Sequence, residues 1–232
     1  MIERKTLRLS AVLLVVGFIF YVVVGLFHAG GPANNHPVVF AIYASSASWT
    51  AVHLGQFFGM AVIIAGLLVL HFALDLHAGG AAWAARLGAV SAAVALGLYG
   101  VLQAVDGVTL KQAVDAWVRA PETEKAARFA NAETIRWLEW GARSYQSFML
   151  GLTLILLGTA VALSVRLPRA IGYLMGLSGL GYIVQGWVIG SEGFSGTDTF
   201  AILGAYVLIL AWTIWLVVAA WRTKESSRAP TP

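Results

Sequence analysis

The sequence predicts an all-α integral membrane protein: a bundle of six transmembrane helices with both termini in the cytoplasm. A helical excursion on the far side joins spans 3 and 4. Three observations carry this reading. The 232-residue chain is 59% hydrophobic and only 11% charged, with a mean hydropathy of +0.79, where soluble domains carry about 25% charged residues. Six apolar runs, at about 10–28, 50–74, 82–104, 145–164, 170–190 and 199–221, approach the roughly 20 residues needed to cross a bilayer core. Finally, twelve of the 26 Asp, Glu, Lys and Arg side chains fall between Asp106 and Arg143, six of each sign.

The first run follows a basic start, MIERKTLRLS, as a signal peptide would. At about 17 residues it exceeds a usual signal core and meets the lower bound for a span, so we expect a retained first helix. Charges then orient the bundle. With an even span count, Arg4, Lys5, Arg8, Arg86, Arg166, Arg169, Arg222, Lys224 and Arg228 share one side, opposed only by Glu3, Asp75 and Glu225. Short loops rich in Lys and Arg stay in the cytoplasm. The long loop is mixed in sign and crosses regardless. The expected location is the cytoplasmic (inner) membrane, with residues 1–232 forming one membrane domain.

Three connections then face outward. The first, about 28–49, is uncharged; Gly30, Gly31, Pro32, Asn34, Asn35 and Pro37 interrupt regular structure. Its VVFAIY stretch is apolar enough to lie on the bundle mouth. The second is the charged excursion. Thr109 is positioned to cap a short helix through Trp117. Pro121 with Glu122 and Glu124 marks the start of a second helix, proline suiting the first turn and acids the positive dipole end. That helix is expected to run into the fourth span, with Glu133, Arg136, Glu139 and Arg143 spaced to pair along it. The third connection is the short SEGFSGTD.

Polar residues collect at one depth. His28, His53, Gln56, Gln103, Asp106, Glu139, Arg143, Gln146 and Gln185 sit at the outer ends of the spans, with Trp137 and Trp140 nearby. Such a set is a candidate ligand-binding site beneath an aromatic lid. Tryptophans at this depth also form the usual interfacial belt, and glutamines bond between helices. His53, about one turn inside the boundary, could ligate a metal or heme, with His28 the one outer histidine at its depth; heme or metal stays an open alternative. At the inner side His71 and Asp75 are four apart, with His77 just beyond, which could supply metal ligands. No second motif completes that set.

Several chemistries are excluded. The chain has no cysteine, hence no disulfide, thiolate metal site, Fe–S cluster or cysteine nucleophile. It lacks H-E-x-x-H, G-x-S-x-G and a Walker loop. The middles of the spans are nearly free of ionisable groups, which argues against an ion pump. The basic residues lie at membrane edges and do not point to nucleic acid. Gly55-x-x-x-Gly59 and Gly172-x-x-x-Gly176 allow helices to approach closely, within the chain or in a homodimer.

Residues 157–187 read LGTAVALSVRLPRAIGYLMGLSGLGYIVQGW. The Pro168-Arg169-x-x-Gly172 turn and the Gly179-Leu180-Gly181-Tyr182 span resemble the six-span bacterial membrane proteins catalogued as a domain of unknown function. The resemblance implies the fold and offers no catalytic residues; the long charged loop departs from the shorter connection of that family. The expected role is a binding or accessory component, for lipid, a small apolar ligand or a membrane-complex protein partner. The alternatives are a small enzyme using His53, Glu139 and Arg143, or, with less support from repeats, a transporter.

Overall fold

The computed structural model describes residues 4–222. Glu3, Lys224, Glu225 and Arg228 of the charge count therefore lie outside the described residues. Among the described residues there are helices and no strand: α1 (Arg4–Gly25), α2 (His36–Ser45), α3 (Trp49–Leu74), α4 (Gly79–Ala104), α5 (Lys111–Arg119), α6 (Glu122–Leu163), α7 (Arg169–Glu192) and α8 (Gly196–Arg222). Val105–Leu110, between α4 and α5, is π-helical.

Six long helices close a ring in chain order, α1, α3, α4, α6, α7, α8, and α8 returns to α1. Their apolar faces divide between two environments. Leu67, Leu70, Leu157, Ile171 and Leu216 are fully buried inside, while Val16, Ile19, Val90, Leu177, Val207 and Ile214 point outward. Hydrocarbon on both sides of a helix is what a lipid-facing bundle requires. Five helical stretches are long and apolar enough to cross a membrane: Arg4–Gly25, Trp49–Leu74, Gly79–Arg119, Glu122–Leu163 and Gly196–Arg222. α7 has the length, 24 residues, but its glycines, serines and Gln185 dilute its apolarity.

Close approach of helices explains those glycines. Along α6/α7, Gly158 and Gly172 face each other, as do Gly151 and Gly179, so that a Cβ on any of them would strike the opposite backbone. Gly59 similarly meets the Tyr21 backbone of α1. In a lipid environment such contact supplies the van der Waals attraction that holds helices together. Hydrogen bonds add to it: Ser144 Oγ donates to Gly186 O at 2.7 Å, and Ser10 Oγ to Gly66 O at 2.8 Å. At the end where α1 begins and α8 finishes, Arg166 donates to the Leu74 carbonyl and pairs with Asp75 at 3.6 Å, closing the C-terminus of α3.

The opposite end carries a cap. VVFAIY folds as α2, started by Asn35, whose side chain accepts from the Val38 N–H, and by Pro37 in the first turn. Val39, Phe40 and Tyr43 of α2 bury against Leu110 and Val114 and against Ala132 of α6. α6 is one continuous helix of 42 residues whose first turn holds Glu122 and Glu124, as the sequence implies. Pro121 stands just before that turn, in extended conformation (φ −65°, ψ 157°), rather than within it.

One expected boundary is corrected. No helix starts at Thr109. The chain stays helical from Gly79 to Arg119, and Thr109 lies inside the π segment, its hydroxyl donating to Ala104 O at 3.1 Å. A capping residue must stand outside helical geometry, and here the backbone never leaves it; a widened turn changes the helix course instead.

Gly172→Leu should therefore wedge α6 from α7 and cost about 1–3 kcal/mol or more, as overpacking does. Gly176→Ala should be tolerated, because a Cβ there meets nothing within 4 Å. Thermal unfolding in detergent distinguishes the two.

Candidate functional site

A cavity of about 810 Å³ opens in the ring at the cap end. It is lined by His28, Gln56, Gln103, Asp106, Glu139, Arg143 and Gln185 among the residues singled out in the sequence. Four candidates stand apart from the lining. His53 is buried behind Asp106, its Nε2 2.9 Å from Asp106 Oδ2. Gln146 is fully buried, with both amide atoms lacking a hydrogen-bond partner. Trp137 is exposed. Trp140 packs on Gly193 and, at 5.7 Å between rings, on His36, so it roofs the neighbouring loop.

Of the expected pairings along α6, Arg136–Glu139 forms and the other two do not among the described residues. Arg136 Nη1 donates to Glu139 Oε2 at 2.5 Å, with both side chains 3% exposed. Glu133 turns to His36 of α2 at 2.8 Å instead of to Arg136. Glu139 is consumed by Arg136, and among the described residues no carboxylate pairs with Arg143. The reason is tertiary: α2 offers Glu133 a partner across the cap, which spacing along one helix cannot reveal.

Arg136 was not among the expected site residues, yet it ties the cap together. Its guanidinium lies 5.5 Å from the Tyr43 ring and 4.7 Å from the Phe194 ring, and Nη2 reaches Ala33 O at 3.5 Å. All three outer segments therefore meet at one cation. Burial pushes the Tyr43 hydroxyl up to about 12, against the opposing effect of Arg136, so it stays protonated.

Arg143 lies one turn deeper, amid tyrosines. Tyr21, Tyr99, Tyr182 and Tyr206 all interact electrostatically with its guanidinium. None of these tyrosines was singled out. A tyrosine in an apolar span reads as an aromatic, and only its position opposite a cavity-lining cation shows the hydroxyl's use. Below them lies an apolar crevice that shares Tyr21 and Tyr206 with the cavity; it holds only about 20 Å³.

The third cluster joins three elements. His28 follows α1, His53 is on α3, and Asp106 is in the π segment; each offers one ligand atom, all within 4.8 Å of one another. The two imidazole rings are in contact, 5.0 Å between centroids, which leaves no slab between them for a porphyrin. At the other end Asp75 is left-handed (φ 48°) beyond the end of α3. It therefore leaves the helical face of His71 and pairs instead with exposed His77 at 3.0 Å.

Ring, cap and polar cavity define an all-helical bundle of membrane type. The chain belongs to the family described as a domain of unknown function (DUF4386), whose model matches residues 9–220. That agrees with the resemblance carried by the Pro168 turn. No curated protein and no solved structure matches it.

Removing one partner of a buried ion pair leaves an unpaired charge. Arg136→Gln or Glu139→Gln alone should cost about 3–5 kcal/mol. Arg136→Met with Glu139→Leu should cost less than either single change, in detergent unfolding of all three variants.

Proposed function

We propose that the chain is a six-span binding protein of the bacterial inner membrane, one domain with cytoplasmic termini. Its cavity then faces outward and holds a ligand bearing a carboxylate or phosphate. The observation that carries this is Arg143: a cavity-lining cation with no carboxylate partner among the described residues. A charge at such depth is costly unless something complements it. Tyrosine hydroxyls and glutamine amides around it supply orienting donors and acceptors for an anion's oxygens. A volume of about 810 Å³ suits an organic molecule or a lipid headgroup better than a bare ion, given pockets of roughly 300–1,000 Å³ for ligands. An acyl tail could follow the apolar crevice only if its side chains moved.

Two features support the sixth span and the orientation. α7 contributes one wall of the ring, and without it α6 and α8 would have no common neighbour. The terminal end carries Arg86 within α4, Arg166 in the α6–α7 loop and Arg169 at the start of α7, the basic bias that retains such an end in the cytoplasm. An enzyme reading draws on Gln56, Glu139 and Arg143 sharing one cavity, but His53 is screened from it. The binding reading needs no such group.

Native mass spectrometry of gently extracted protein should detect a bound anionic lipid or metabolite, and the mass separates those two sources. Arg143→Gln should weaken retention by about 10- to 100-fold, the value of a hydrogen bond to a charged group; Arg143→Lys should lie between. Wild-type protein that carries no anion, and whose unfolding temperature is unmoved by phosphate or carboxylate ligands, would overturn the reading. For orientation, a green fluorescent protein fused after Arg222 should fluoresce, and an alkaline phosphatase there should be inactive.

A further inference from the structure

We propose that His28, His53 and Asp106 form a binding site for a divalent transition-metal ion, with zinc the best match. The argument begins with a hydrogen bond. His53 Nδ1 lies 2.7 Å from the Trp49 carbonyl oxygen. A carbonyl can only accept, so Nδ1 carries the proton. The other nitrogen, Nε2, is then turned towards Asp106 Oδ2 at 2.9 Å. In a neutral imidazole that atom presents a lone pair, and so does the carboxylate. Two acceptors this close need a cation between or beside them, either a proton on Nε2 or a metal ion.

Several features favour the metal. An imidazole whose far N–H is held by a backbone carbonyl is the usual supporting arrangement of a metal-bound histidine. A bare His–Asp pair does not explain His28, whose ring is 5.0 Å from that of His53 and whose nitrogen completes the cluster. Nor does it explain Asp106 Oδ1, which is buried with no hydrogen-bond partner. The ligand atoms lie within 4.8 Å of one another. A tetrahedral ion with ligands at about 2.1 Å needs separations of roughly 3.4 Å, so small side-chain rotations suffice.

The backbone is built to hold Asp106 there. A π turn inserts an extra residue into the α4–α5 rod, a distortion that recurs at functional sites. Its carbonyls are caught by α3: Trp49 Nε1 donates to Asp106 O at 2.8 Å, and Thr50 Oγ1 to Gly107 O at 3.1 Å. Gly107 packs directly on the imidazole, for a Cβ there would lie 2.5 Å from His53 Cβ. Only glycine lets the rod approach this closely.

The donor set identifies the ion class. Two imidazoles and a carboxylate suit zinc and its neighbours cobalt and nickel. Calcium and magnesium prefer six or more oxygen ligands. Three protein ligands leave a fourth position, and His28 and Asp106 both line the cavity, so that position opens into it.

The test uses full-length protein in detergent with any affinity tag removed, stripped with chelator and then titrated with cobalt(II) and zinc. Wild type should develop the visible bands of low-coordinate cobalt with a single ion per chain. Zinc should abolish them and raise the unfolding temperature; magnesium and calcium should do neither. His28→Gln, His53→Gln and Asp106→Asn should each weaken binding by about tenfold or more. His77→Gln, at the opposite end, should not. Absent cobalt bands and absent stabilisation by zinc in folded wild type would overturn the site, whether or not the variants fold. So would binding that survives all three substitutions or is lost in His77→Gln. The titration reads metal alone, so it stands or falls separately from anion binding at Arg143.

Discussion

The buried Arg136–Glu139 pair is the constraint around which the cap is arranged. α6 carries water-facing charge and lipid-facing hydrocarbon on one uninterrupted rod of 42 residues. A helix cannot switch environments without burying its boundary residues somewhere. Here the boundary falls inside the ring, and the two charges there must satisfy each other. Their contact at 2.5 Å meets the Coulombic requirement. Removing water from around them is a separate cost, and the outer segments provide the substitute environment. The Tyr43 and Phe194 rings lie 5.5 and 4.7 Å from the cation, and the Ala33 carbonyl meets one amino group. The cap is therefore best understood as solvation of a buried ion pair by protein.

The second device is the π turn. A straight α4–α5 rod would not hold the Asp106 and Gly107 carbonyls where the α3 side chains meet them. The inserted residue turns those carbonyls sideways, where Trp49 Nε1 and Thr50 Oγ1 donate to them. Local strain in one helix is thus converted into fixed register between two. That register, with Gly107 against the imidazole, sets the His53–Asp106 distance.

Much of this was legible in the sequence, and the failures share a cause. Spans follow from apolar runs because lipid imposes length. The continuity of α6 follows from Pro121 and the acids behind it, and the shared depth of His28, Gln56, Gln103, Asp106, Glu139, Arg143 and Gln185 follows from where the apolar runs end. Depth alone, however, says nothing about azimuth. Gln146 and Trp137 have the right depth and the wrong face. Spacing makes Arg136 one rung of a ladder along α6, because its covering, Tyr43 of α2 and Phe194, is distant in sequence. Thr109 looked like a cap because a π turn and a helix start share turn-prone residues. The tyrosines were silent because hydropathy scores a ring and ignores what its hydroxyl meets.

The charges in the cavity can be weighed against each other. Arg136 and Glu139 cancel. Asp106 Oδ2 lies 2.9 Å from His53 Nε2 and beside His28. Asp198 accepts from the Ser195 N–H, a bond that helps start α8. Among the cations Arg143 is the remainder: it lines the cavity amid tyrosines and has no carboxylate partner among the described residues. In a medium of low dielectric a remainder of this kind is stabilised far more by an anion than it would be in water. The same reasoning makes the His28–His53–Asp106 cluster attractive to a cation. A cavity with an anion-seeking and a cation-seeking wall suits a ligand whose anionic group also carries metal-binding oxygens. A phosphate fits that description more fully than a hydrocarbon does.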